Sequence, residues 1–205
     1  MKTNQMIKSF ALAALLVAGS ASAAPVELLT NGSFEDNVQG AYSWSNYSNL
    51  NGWTGGAGGI ELRNNVAGAA VHGVNFVELD TTGNSSLSQS FWTALNQQYT
   101  LTFQFQDREG VALSSQGLDV SWAGSTVASV NNSLNGGWQT ATYTLIGTGS
   151  LQSLTFTATG TSDSLGTSLD NISVTTAVPE PETYGMLLAG LAAIGFVARR
   201  RKAVK

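Results

Sequence analysis

The chain has 205 residues, no cysteine, one histidine, 23 glycines and 11% charged residues. A typical soluble domain carries about 25% charge and about 7% glycine, so this one is charge-poor and rich in turn formers. Without cysteine it has no disulfides, thiolate metal sites or cysteine nucleophile, and one histidine leaves no multi-histidine metal centre. The formal charge of −4 is unevenly spread: Lys2, Lys8, Arg199, Arg200, Arg201, Lys202 and Lys205 lie at the ends. Between Ala24 and Val178 two basic residues, Arg63 and Arg108, face eleven acidic ones, a net charge of −9. Such a domain repels polyanions, which excludes nucleic acid as a partner.

Taken in chain order, residues 1–23 carry Lys2 and Lys8, an apolar run from Phe10 to Val17, and the small residues Ala21-Ser22-Ala23. This is the layout of a secretory signal peptide, cleaved by signal peptidase after Ala23. The run is far shorter than the roughly 20 residues a membrane span needs.

Residues 24–176 predict an all-β, antiparallel β-sandwich of the jelly-roll kind. No segment keeps a helical period for three turns, and period-two alternation recurs instead. Tyr99, Leu101, Phe103 and Phe105 share one face of a strand, with Thr100, Thr102, Gln104 and Gln106 on the other. Leu118, Val120 and Trp122 alternate with Asp119 and Ser121, and Leu154, Phe156 and Ala158 with threonines. Shorter strands are expected at 26–29, 59–63, 75–79, 87–92, 126–130, 139–146 and 168–175. Gly and Asn clusters separate them. Tyr42, Trp44 and Tyr47 fall in a stretch read as a long polar loop before Trp53.

Residues 177–183 form a Pro/Glu linker containing Pro179, Glu180 and Pro181, which end any helix upstream. The apolar residues 184–198 follow, then Arg199, Arg200, Arg201 and Lys202. Fifteen helical residues rise about 22 Å, workable as a short transmembrane helix with local thinning of the bilayer. The basic tail, residues 199–205, belongs in the cytoplasm.

The order of Pro179-Glu180-Pro181, a short Gly-containing span and an Arg-rich end closely resembles the PEP-CTERM sorting signal. That resemblance implies processing at the tripeptide by an exosortase in a Gram-negative bacterium. It also implies transient membrane anchoring through the C-terminal helix, then delivery to the cell surface or extracellular matrix, where exopolysaccharide is a natural partner.

The domain opens on Asn31-Gly32-Ser33-Phe34-Glu35 and closes on Asp170-Asn171-Ile172-Ser173-Val174. Both segments resemble those of galactose-binding-like jelly rolls, which include carbohydrate-binding modules. The resemblance implies carbohydrate binding and a structural calcium tying the terminal strands, with Glu35 and Asp170 as its carboxylates. Calcium needs further oxygen ligands besides.

Sugar rings stack C–H patches on aromatic faces while amides and charged groups meet the hydroxyls. Trp44 and Trp53 are the expected ligand-binding residues on that ground, whereas Trp122 alternates with core residues. His72 has no thiol to activate, and no GxSxG nucleophile elbow is present for a Ser–His pairing, which would also need an orienting acid and an oxyanion hole. Glu78 and Asp80 share a strand face but lack a further acid at Gly83, and read as ordinary solvated or calcium-adjacent groups. No catalytic residue is assigned. The expectation is an exported, non-catalytic glycan-binding protein; a purely structural matrix protein, and more distantly a small glycan-active enzyme, are the alternatives.

Overall fold

The computed structural model describes residues 25–130 and 136–176, together with residues 185, 188–192 and 194. The signal peptide, Pro179-Glu180-Pro181 and the basic cluster Arg199, Arg200, Arg201 and Lys202 lie outside the described residues. Within the expected span, Gly185, residues 188–192 and Ile194 are helical. No helix of the described residues is long and apolar enough to cross a membrane.

Among the described residues between Pro25 and Ala177, twelve strands make two six-stranded sheets. They are β1 (Ser43–Tyr47), β2 (Asn49–Leu50), β3 (Trp53–Gly55), β4 (Ile60–Asn64), β5 (Asn75–Glu78) and β6 (Ser86–Trp92). The second half adds β7 (Gln98–Gln106), β8 (Leu118–Trp122), β9 (Ser125–Val130), β10 (Gln139–Ile146), β11 (Leu151–Ala158) and β12 (Ser168–Thr176). The first sheet runs β1-β4-β5-β12-β7-β10 and the second β2-β3-β6-β11-β8-β9. Every strand pairing is antiparallel. The all-β antiparallel sandwich expected from the sequence is therefore the fold.

Alternation builds the core. β7 turns Tyr99, Leu101, Phe103 and Phe105 inward, where Phe103 meets Phe156 of β11 edge-on at 5.1 Å. Burying a large side chain of this kind stabilises by about 1.5–3 kcal/mol. Three details depart from expectation. Ser43–Tyr47 is a strand at the edge of the first sheet, not a loop. Residues 26–29 form only an isolated bridge, Glu27 to Thr175. The two short strands β2 and β3 precede β4.

The opening and closing segments interlock. β12 bulges between Asp170 and Ser173, with Asn171 at φ 49°. Ile172 N–H donates to the carbonyl of Gly32, and a Cβ on Gly32 would stand 1.8 Å from the Ile172 carbonyl oxygen. Only glycine permits that approach. Glu27 adds a clasp, its Oε1 accepting from the N–H groups of Leu28, Leu29 and Val174.

Candidate functional site: the outer groove of the first sheet

In β4 the alternation sends Ile60 and Leu62 inward and Glu61 and Arg63 outward; in β5 Val77 goes inward, Phe76 and Glu78 outward. The register sets Glu61 opposite Glu78 and Arg63 opposite Phe76. A charged cluster thus stands at the centre of the sheet's outer face, yet it is buried. Arg63 is 1% exposed and Glu78 0%. Arg63 Nε donates to Glu61 Oε1 at 2.6 Å, and its Nη2 pairs with Glu78 Oε2 at 2.5 Å. Arg108 Nη1 reaches Glu78 Oε2 at 3.5 Å. Burial pushes the Glu78 carboxyl from an ordinary 4.5 up to about 7, against the pull of Arg63.

Two adjoining cavities open above this cluster, both lined by Ala67 and Arg108. One, of about 310 Å³, is walled by Trp44, Asn46, Glu61 and Arg63. The other, of about 390 Å³, is walled by Phe76, Trp138, Gln106 and Ser168. Trp44 is 54% exposed on β1. Trp138 stands edge-on to Phe76 at 5.9 Å, its indole N–H donating to the Ala69 carbonyl at 2.8 Å. Arg63 Nη1 is buried with no hydrogen-bond partner. An unmet donor on a buried cation is costly, and here it belongs to a residue lining a groove with an exposed tryptophan at its wall. The groove offers an aromatic face, amides and charged donors in one place, which is what a polyhydroxylated ligand requires.

The sequence-expected residues divide. Trp44 lies in the groove. Trp53 is a correction: it is 2% exposed, packs on Phe34 at 6.0 Å, and donates its indole N–H to the Asn31 carbonyl, so it belongs to the core. Trp122 is core as expected, stacked on Phe91. Glu78 and Asp80 are not solvated; Asp80 is 0% exposed, its Oδ2 accepting from the N–H groups of Asp163, Ser164 and Leu165. That makes Asp80 an organiser of the 162–165 turn. Sequence reasoning left out Trp138, Arg63 and Arg108 as site residues. A signal was present for the last two, because they are the domain's two basic residues.

Glu35 and Asp170 hold the same loop. Glu35 Oε1 accepts from Val74 and Asn75 N–H, and Asp170 Oδ2 from Val71 and His72 N–H. Burial pushes Asp170 from an ordinary 3.8 up to about 6. Among the described residues no group of three or more His, Cys, Asp or Glu could hold a metal ion. Asn75, whose backbone N–H donates to Glu35, has a buried side-chain Oδ1 without a hydrogen-bond partner, while the Nδ2 of the same amide donates to the carbonyls of Phe34 and Asn37.

The family profile described as "Protein of unknown function (DUF642)" matches residues 27–175, and the PEP-CTERM protein-sorting motif matches residues 177–202. Over 164 residues the chain is 30% identical to the multifunctional-autoprocessing repeats-in-toxin of Vibrio cholerae serotype O1, covering 79% of this chain and 3% of the toxin. The chain therefore corresponds to a small piece of that relative. Among solved structures, the Stig cyclase Fisc from Fischerella sp. TAU superposes with a TM-score of 0.57 at 18% identity, over 77% of this chain and 100% of that one. That likeness is one of fold. A family 35 carbohydrate-binding module from Clostridium thermocellum gives a TM-score of 0.48 at 16% identity, over 76% of this chain and 100% of that one.

Proposed function

The chain belongs to the DUF642 family, and on that footing we propose that its sandwich is the glycan-binding module of an exported cell-surface or matrix protein. The binding site is the groove on the outer face of the first sheet. The observation that carries this is the meeting of exposed Trp44 with Arg63, whose Nη1 lacks an acceptor, along one cavity wall. A sugar ring on Trp44 would bring ring and hydroxyl oxygens toward the polar wall formed by Asn46, Glu61 and the arginines. Removing a stacking aromatic costs roughly 1–3 kcal/mol by analogy with other aromatic platforms. Trp44→Ala is therefore expected to weaken glycan binding about tenfold with little change in melting temperature. A large loss of stability with unaltered binding would assign Trp44 to packing instead. If the wild-type protein binds no glycan at millimolar concentration, the structural-matrix reading replaces this one.

Glu61 lies opposite Glu78 across β4 and β5, and a glycosidase works through two such carboxyl groups flanking the scissile bond. Each is bonded to Arg63, however, and Glu78 is fully buried, so neither is free to reach a glycosidic oxygen. This favours binding over hydrolysis.

The sorting motif at residues 177–202 supports export and surface sorting. Exosortase processing at Pro179-Glu180-Pro181, after transient anchoring through the C-terminal helix, belongs to the same proposal. Glu180→Ala should then retain the Arg-rich tail, and mass spectrometry of the mature C-terminus reads this. An intact tail on surface-delivered wild-type protein would contradict it.

A structural calcium between Glu35 and Asp170 is a further part of the proposal, supported by the unpartnered Asn75 Oδ1. Calcium at a hundredfold excess over its Kd would stabilise by about 2.7 kcal/mol. The melting temperature should therefore rise by several degrees over that in chelator. An unchanged midpoint removes the site.

A further inference from the structure

The second sheet has an outer face of a different chemistry. With Leu87 and Phe91 of β6 and Leu154 and Phe156 of β11 turned into the core, Ser86, Ser88, Ser90 and Trp92 face out from β6. Leu151, Ser153, Thr155 and Thr157 do the same on β11. The register places Ser90 opposite Ser153, Ser88 opposite Thr155, and Thr155 opposite Ser121 of β8. These hydroxyls form rows about 4.8 Å apart across the strands and about 7 Å apart along them. The charge on this part of the face is Asp119, whose Oδ1 accepts from Ser129 Oγ at 2.6 Å. In a domain with eleven acidic residues, so neutral a face stands apart. At one end Trp92 is 73% exposed beside its cross-strand partner Leu151, 51% exposed, while the adjacent Phe91 supplies the core.

We propose that this face is a second binding surface, independent of the groove, for an uncharged extended polysaccharide lying along β6 and β11 with a sugar ring on Trp92. Serine and threonine hydroxyls both donate and accept, as sugar hydroxyls do. Their short side chains lose little entropy on ordering, and with no ion to strip of water the face avoids the main cost of burying polar surface. Trp92 supplies the flat apolar patch that C–H groups need. The four rows from Trp92 to Ser86 span about 20 Å, enough for several sugar units. An anionic polymer would find no cation in these rows and would meet a domain of net charge −9.

The test uses the full chain with hydroxyethyl cellulose as a neutral probe and polygalacturonate as an anionic one, in wild-type and Trp44→Ala backgrounds. Binding of hydroxyethyl cellulose should persist in the Trp44→Ala background. It should then fall roughly tenfold or more on adding Trp92→Ala or Thr155→Glu, while Thr155→Ser retains it. Loss of all binding with Trp44→Ala alone overturns the second surface and leaves the groove reading standing. Binding in the Trp44→Ala background that ignores both changes, a preference for polygalacturonate, or no binding of hydroxyethyl cellulose by the wild type also overturns it. So does a Trp92→Ala protein whose changed property is its oligomeric mass in sedimentation rather than its glycan affinity.

Discussion

Replacing Arg63 with methionine is expected to destabilise the sandwich by about 3–5 kcal/mol near pH 8, the usual result of removing one partner from a buried ion pair. Arg63 is held between two glutamates at 2.6 and 2.5 Å, and Glu78 is 0% exposed. Methionine fills much of the volume but leaves Glu78 with the more distant Arg108. The loss should shrink near pH 5, because Glu78 then becomes neutral. In the wild type the same group sets a pH dependence. Its folded pKa of about 7 lies above its ordinary 4.5, so its favourable contribution is complete below about pH 4.5 and is lost as pH rises through 7. That contribution is on the order of 3 kcal/mol. Urea denaturation near pH 5 and pH 8 measures both effects. A loss for Arg63→Met below about 1 kcal/mol near pH 8 would contradict the buried-pair assignment.

Gly32→Ala should be as damaging for a different reason. The added Cβ would lie 1.8 Å from the Ile172 carbonyl oxygen, a backbone atom that cannot step aside without opening the β12 bulge. Overpacking commonly costs about 1–3 kcal/mol, and a clash with backbone belongs at or above the top of that range. Gly83→Ala is the control: its nearest neighbour would be Ser162 Oγ at 3.5 Å, an ordinary contact, and its effect should stay within about 0.5 kcal/mol. Thermal melts of both variants check this. Equal, small effects would mean that the opening and closing segments are not a clasp.

The strands that were legible in the sequence are those whose two faces differ chemically. β7, β8, β10 and β12 each bury apolar residues against polar ones, so a period of two is visible. β1 was not legible because it is an edge strand with the polar residues Ser43, Ser45 and Asn46 on both its faces. Its inward aromatic is Tyr47, which packs against the core, while Trp44 faces the groove. Trp44 and Trp53 looked alike in sequence, each an aromatic near polar residues. The fold separates them, since β3 turns Trp53 inward onto Phe34. The charged cluster was hidden for another reason. Glu61, Arg63 and Glu78 alternate as solvated strand residues do, and their burial and mutual pairing, with Arg108 reaching Glu78 from another part of the chain, are tertiary facts.

The most direct measurement follows the five indole N–H resonances of the ¹⁵N-labelled protein during titration with a bound glycan. Trp53 and Trp122, which are buried and donate their indole N–H groups to the carbonyls of Asn31 and Ile146, should stay still. Trp44 should move as the groove fills, with a smaller change at Trp138 on the adjoining wall. A glycan that binds the Trp92→Ala protein with Trp44 unmoved would contradict the groove as the binding site.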